Sequence, residues 1–300
     1  VSVSIPDAPI RFLVIGHLCR DVVPGGYALG GVVTYAGLTA HRLGLPTGIL
    51  TRCGPHISPE EVLEGIHLHI LPSERTTTFH NQYTAGGRVQ RLLEVSEPIG
   101  AEDVPAAWRA APVVLLGPVA QEIAPQLAGL FPKALCGAVL QGWMREWDAE
   151  GRVSNRPALL RRLSLEGIRV VTLSEEELAG DDETLAYLRR HVPVVVLTQG
   201  PRGATVFAEG KVFHTEPRPA QEVDPTGAGD VFAAAFLVRL YEGCSYPEAA
   251  YFANVTASFS IEQPGPAGIP ERRQVLAWIH SHPSGGMVPD VERSASAHHT

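Results

Sequence analysis

Residues 224–230, Asp224-Pro225-Thr226-Gly227-Ala228-Gly229-Asp230, run directly into VFAAAFLVRLYEG at 231–243. Small residues give way to an apolar, alanine-rich run, which predicts a helix over 227–241 that ends near Gly243. The first N–H groups of a helix have no intrahelical partner, and the dipole is positive there. Glycines let an anion come close, so Gly227, Ala228 and Gly229 can form a backbone anion hole for a phosphate. Asp230 falls just inside the helix, where its ionised form is favoured and where it can take a proton from an attacking hydroxyl. Thr226 is the expected cap. The plain alternative is an ordinary helix start with an Asp in its first turn.

Around this stretch, strand and helix signals alternate. Short apolar runs at 10–16, 47–53, 113–116, 134–140, 169–173 and 194–198 read as strands, and 32–43 reads as a helix closed by Gly44. Helical stretches between the strands imply a parallel α/β sheet with helices on both faces. An antiparallel pair, 204–208 and 212–214, turns at Glu209-Gly210. Two further helices are expected at 247–261 and 271–280, and 281–300, rich in Ser, His, Gly and Pro, reads as a flexible tail.

The segment from about 66 to 95 differs. HLHIL, TTTFHNQY and RVQRLLEV are extended and alternating, with Ala85-Gly86-Gly87 as a hairpin turn. In TTTFHNQY, Thr76, Thr78, His80 and Gln82 share one side, and Thr77, Phe79, Asn81 and Tyr83 share the other. The first side is polar and uncharged, which suits either a sheet lying over a hydroxyl-rich ligand or a solvent-facing sheet.

Composition narrows the function. The chain has 300 residues, 45% of them hydrophobic and 19% charged, enough for one large domain or two modest ones. A net charge of −8 argues against a nucleic-acid partner. The lysines are Lys133 and Lys211, neither of them in a GKS or GKT, so a P-loop NTPase is excluded. No GxGxxG follows the first strand, which speaks against a dinucleotide enzyme. Four scattered cysteines fit a reducing, cytoplasmic setting. The opening VSVSIPDAPI shows no secretory pattern. The glycine-interrupted stretch 22–41 reads as a loop and buried helix rather than a membrane span.

DPTGAGD resembles the signature of the ribokinase-like (PfkB-type) carbohydrate kinases. Gly30-Gly31 before a helix is similar to that family's N-terminal di-glycine. Ser174–Glu177 (SEEE) resembles its NxxE, with Ser174 in place of the Asn. Thr198, Gly200 and Gly203 resemble its TxGxxG nucleotide segment, and Asn254 sits where the family places a helix beside the adenine. GHLCRDV (16–22), GGVVTY (30–35), TTTFH (76–80) and QGWMREWD (141–148) look like the myo-inositol kinase branch.

The resemblance implies a kinase domain over 1–280 with a mostly parallel sheet and a β-sheet lid from about 20–29 and 66–95. It implies ATP as donor and Mg²⁺ as metal, leaves K⁺ open, and suggests a homodimer through the lid. Asp230 would be the base and residues 227–229 the anion hole. Asp21, Gly30, Gly31, Tyr35, Thr78, His80, Gln141 and Arg145 would meet a small sugar or cyclic polyol. Thr198, Gly200, Gly203 and Asn254 would meet the nucleotide, and Glu177 would organise the metal. Two other readings stay open: a ribokinase- or nucleoside-kinase-like enzyme with a ribose-bearing acceptor, and a non-catalytic sugar-binding protein of the same fold, which Gln141 and Ser174 keep alive.

Overall fold

The computed structural model describes residues 9–84, 87–282 and 287–288. Its strands are β1 (Phe12–Ile15), β2 (Cys19–Val23), β3 (Gly26–Gly30), β4 (Thr47–Cys53), β5 (His67–Pro72), β6 (Thr77–Thr84), β7 (Gly87–Glu94), β8 (Val113–Leu116), β9 (Leu135–Val139), β10 (Arg145–Trp147), β11 (Val153–Asn155), β12 (Val170–Ser174), β13 (Val194–Thr198), β14 (Ala204–Ala208), β15 (Lys211–Thr215) and β16 (Met287–Val288). The helices are α1 (Val32–Arg42), α2 (Gln141–Met144), α3 (Glu175–Leu178), α4 (Asp182–His191), α5 (Ala228–Tyr241), α6 (Tyr246–Ser260) and α7 (Arg272–Ser281).

The large sheet runs β16-β15-β14-β13-β12-β9-β8-β1-β4-β5. From β13 to β5 every neighbouring pair is parallel, and β14, β15 and β16 extend one edge in antiparallel fashion. The chain leaves β1 towards β4 on one side and returns as β8 on the other. That reversal opens a crevice beyond the carboxyl ends of the strands, the usual place for a ligand in such sheets.

The two faces of the sheet are covered differently. On one, α1, α5 and α6 pack together over Phe12, Val14, Val113, Val196 and their neighbours. Helix α5 is buried from Asp230 through Val238, which is why its sequence is apolar all round and rich in alanine. The other face is covered mainly by 3-10 turns at Ala106–Ala110, Pro125–Leu130 and Pro157–Arg162, together with α4. Prolines at the starts of the latter two turns favour such short pieces.

A smaller sheet, β3-β2-β6-β7, stands at the mouth of the crevice. Strands β2 and β3 are antiparallel, β2 and β6 parallel, and β6 and β7 antiparallel with a bulge at Thr78/Phe79. The lid expected from 20–29 and 66–95 is corrected at one point: β5 does not join it. His67–Pro72 pairs in parallel with β4 and forms the outer edge of the large sheet. Its side chains are partly buried on both faces, as at a sheet edge, and this gives the same alternation as a lid strand.

The first two residues of the expected turn at 85–87 lie outside the described residues, as does most of the expected tail. Within that tail, Met287 and Val288 pair with Thr215 and His214. Among the described residues no helix is long and apolar enough to cross a membrane.

Candidate active site

The crevice is a cleft of about 670 Å³ between the carboxyl ends of the central strands, the start of α5 and the small sheet. Its floor is the predicted glycine turn. Gly227 is the residue before α5 and has φ of +75°, a left-handed value. A Cβ there would lie 2.2 Å from the ring of Tyr35, so only glycine admits both the turn and the ring. Thr226 is not the cap: Gly227 holds that position and no side chain caps the helix. The α5 amides are therefore not capped by a neighbouring side chain. Asp224 instead braces the turn, accepting from Thr226 N (3.0 Å) and Gly265 N (2.8 Å).

Asp230 lines the cleft and is 7% exposed. Burial lifts its carboxyl to about 7, the charge of Glu177 adds to the rise, and the Arg145 guanidinium opposes it. Gln141 Nε2 donates to Asp230 Oδ1 at 3.4 Å, and Gln141 Oε1 accepts from Arg145 Nη2 at 2.9 Å. The other arm of Arg145 donates to the Val119 carbonyl at 3.0 Å, and its guanidinium lies 5.2 Å from the centre of the Phe79 ring. The structure thus brings Gln141 and Arg145 to the carboxylate as a connected group.

Asp21 and Gly31 line the same cleft, as does Tyr35. Gly30 does not line it, but its missing side chain makes room for Asp21, whose Oδ2 lies 2.1 Å from where a Cβ would stand. Burial and the neighbouring carboxylates of Asp21, Asp224 and Asp230 push the Tyr35 phenol well above its usual range, so it stays a hydrogen-bond donor. Burial likewise pushes up the Cys19 thiol, which keeps it protonated and unreactive.

On β6 the facing is the reverse of the expectation for Thr78 and His80. The β2–β6 ladder puts Asp21 beside Phe79, and residues in register share a face. Phe79 and Asn81 therefore line the cleft, and Thr78 and His80 turn away from it. Thr78 is held on the outer side, donating to the Thr76 carbonyl and accepting from Arg20, which pairs with Glu94 and lies over Tyr27. Gln90, opposite Asn81 on β7, donates to it at 2.9 Å and completes this wall with Asn155. The strand's period already separated the two faces; only pairing with β2 says which one is inside.

At the other end, Thr198, Gln199 and Gly200 line the cleft. Gly203 lies against the Thr215 backbone instead. Asn254 is also off the cleft: it is buried and donates to the Thr215 carbonyl (2.9 Å) and hydroxyl (2.8 Å), tying α6 to β15. Glu175 joins the Thr198–Gly203 turn to α3 through Gln199 and Arg202. Ser174 explains its departure from Asn. It caps α3, accepting from Glu177 N at 3.0 Å, and Glu177 Oε2 accepts from Ser174 N at 2.8 Å, a reciprocal capping box.

Among the described residues no three His, Cys, Asp or Glu side chains form a closed metal cage. Glu175, Glu176 and Glu177 line the same cleft as Asp230, whose carboxyl is raised mainly by burial and further by the charge of Glu177, and Glu175 is engaged by Gln199 and Arg202. Such hard oxygen donors fit a hydrated divalent cation that takes its remaining ligands from phosphate.

Comparison with known proteins shows the family. The pattern described as pfkB family carbohydrate kinase matches residues 104–272, more than half of the chain. The inositol 3-kinase of Zea mays is 29% identical, with 89% of this chain and 76% of that protein aligned, and that of Arabidopsis thaliana is 26% identical, with 85% and 75% aligned. The structure of a pyrophosphate-dependent kinase in the ribokinase family, complexed with sulfate, superposes with a TM-score of 0.72 at 25% identity, covering 89% of this chain and 99% of its own. Arabidopsis thaliana ribokinase, complexed with ribose and ATP, shares the fold at a TM-score of 0.70 and 22% identity, covering 90% and 98%. With a glycine turn and buried carboxylate facing one cleft, and a family pattern that spans both, this chain belongs to the pfkB family of carbohydrate kinases, phosphotransferases that act on hydroxyl groups.

Proposed function

We propose that the protein transfers the terminal phosphoryl group of ATP to one hydroxyl of a cyclic polyol, with an inositol as acceptor. The observation that carries this is the Asp230 carboxyl, buried at the start of α5, lifted to about 7 and joined to Gln141 and Arg145 in a cleft that also holds Asp21 and Tyr35. A base that titrates near neutral pH is matched to proton abstraction from an alcohol. The inositol 3-kinase relatives support the acceptor class.

The acceptor lies between the floor and the small sheet. Asp21 accepts from its hydroxyls, Tyr35 donates, and Phe79 offers an apolar face to the ring C–H groups. Asp230 takes the proton of the reacting hydroxyl. The acceptor oxygen bonds to the γ-phosphorus as the bond to the β–γ bridging oxygen breaks, and ADP leaves. The N–H groups at residues 227–229 receive the charge on the moving phosphoryl group. Glu177 would hold Mg²⁺ through water, and the ion would supply neutralisation of the phosphate charge. Thr198 and Gly200 border the donor end. Closure of the small sheet excludes water from the transfer.

The test is a panel of inositols, sugars, ribose and nucleosides with ATP and Mg²⁺, read by ADP release and by NMR of the product. Pyrophosphate is included as a second donor because a similar structure is of a pyrophosphate-dependent kinase. Phosphorylation of an inositol in preference to ribose and nucleosides supports the reading. Turnover confined to a ribose-bearing acceptor moves it to the second class of substrate. Binding without transfer from either donor rejects it.

A further inference from the structure

Glu122 is a buried carboxylate outside the cleft that the proposed chemistry does not use. It follows β8 and is 3% exposed. Its Oε1 accepts from His17 N at 3.0 Å, both oxygens accept from Val119 N at 3.0 Å, and Oε2 accepts from Ala120 N at 2.7 Å. One side chain therefore pins the loop after β1 to the loop after β8, the two strands that flank the crevice. Two acceptor oxygens are needed. A glutamine has one, and its NH₂ would face the N–H of either His17 or Ala120.

Each pinned loop leads to a different part of the site. The His17 ring donates through Nε2 to the Glu97 carbonyl (2.9 Å), and its Nδ1 lies 2.7 Å from Thr77 Oγ, at the foot of β6. Val119, in the other loop, presents the carbonyl that receives one arm of Arg145. Helix α2 rests directly on that loop: a Cβ on Gly142 would lie 2.2 Å from Pro118 C and 2.4 Å from Val119 N. There is no slack between the anchored loop and the segment that carries Gln141 and Arg145.

We infer that Glu122 is a positioning residue: by fixing the Val119 carbonyl it aims the Arg145 fork, and through it Gln141, at Asp230. The inference rests on the proposed kinase reading. A guanidinium with one arm anchored can orient the other, whereas a free one trades partners with water. Displacement of this order is costly where alignment supplies much of the rate.

The experiment is a double-mutant cycle on the full chain with ATP, Mg²⁺ and the best acceptor of the panel, using Glu122→Gln, Arg145→Ala and both together. Glu122→Gln is expected to lower kcat by about 10²-fold with the ATP KM unchanged to about twofold. In the Arg145→Ala background the same change is expected to cost nothing further, because its effect passes through Arg145. Wild-type kcat in Glu122→Gln, or losses that multiply in the double variant, overturns the inference, since a merely structural role would add its cost in either background. If Glu122→Gln does not fold, Arg145→Lys carries the test. It keeps the charge but cannot reach Val119 and Gln141 together, so a comparable fall in kcat supports the tether and an unchanged kcat overturns it. A wild-type protein that transfers phosphate from neither donor overturns the kinase reading along with the inference; an active wild type with an additive cycle overturns the inference alone.

Discussion

The floor and the roof of the cleft are built on opposite principles. The floor is a glycine turn leading into α5, a helix buried on all sides between α1, α6 and the sheet. Its geometry is local: Gly227 turns the chain, and Asp230 follows within one turn of helix. The roof is the four-stranded sheet, whose contributing residues Asp21, Phe79, Asn81 and Gln90 come from three strands and are aligned only by pairing. The floor is packed within the core. The roof is narrow, and its outer face is held by the Arg20–Glu94 pair and Tyr27. Under the proposed function, chemistry belongs to the floor, and recognition and closure to the roof.

That division can be broken by experiment, most severely at the floor. Asp230→Ala should lower kcat by about 10³-fold, as for a removed general base, with the circular dichroism spectrum kept; turnover near the wild-type rate would remove the chemistry from the floor. Gly227→Ala should cost about 10²-fold in kcat through misalignment, together with a lower Tm, because its Cβ would collide with the Tyr35 ring. An unchanged variant would show that the turn yields easily.

At the roof, Phe79→Ala should raise the acceptor KM by about tenfold and leave the ATP KM alone, the mark of lost acceptor binding. A fall in kcat without a change in KM would blur the division.

A smaller effect reads the floor through stability. Burial raises the Asp230 carboxyl from 3.8 to about 7. Between those values the folded chain keeps a proton that the unfolded chain has released, so this group makes wild-type stability fall as pH rises. Asp230→Asn escapes that loss. Its Tm should exceed the wild-type value by about 3 °C near pH 8, and the lead should shrink towards about pH 4. A lead independent of pH would mean that the charge is not the cause. The smallest effect sharpens the roof: His80→Ala, on the outer face, should change the acceptor KM by less than about twofold, and a tenfold rise would mean that β6 presents its other side.

The floor was legible because its information is contiguous. DPTGAGD contains the turn, the amides and the acid within one short string, and the expected helix at 227–241 differs from the observed α5 by one residue. The strands at 47–53, 194–198 and 204–208 were legible for the same reason, as short apolar runs bounded by turns. Less was legible where a signal has two physical causes. The alternation in HLHIL is common to a lid strand and to the edge of the large sheet, where β5 in fact lies. Only the family resemblance puts Asn254 beside the nucleotide, and nothing in its own helix signals the buried tie to Thr215 that it makes. Glu122 carries no motif at all, since its partners are backbone groups whose nearness depends on the sheet.

By itself, then, the sequence determined the alternating α/β plan, the glycine turn and the place of a carboxylate just inside the helix that follows it, because each depends on residues a few positions apart. Only the tertiary structure decided which face of β6 looks inward, that Gly30 serves Asp21, and that Arg145 reaches Asp230 by way of Gln141. Those outcomes depend on strand register and on loops distant in sequence meeting at the crevice beside β1, and a side chain's period along its own strand carries no information about the neighbour that will cover it.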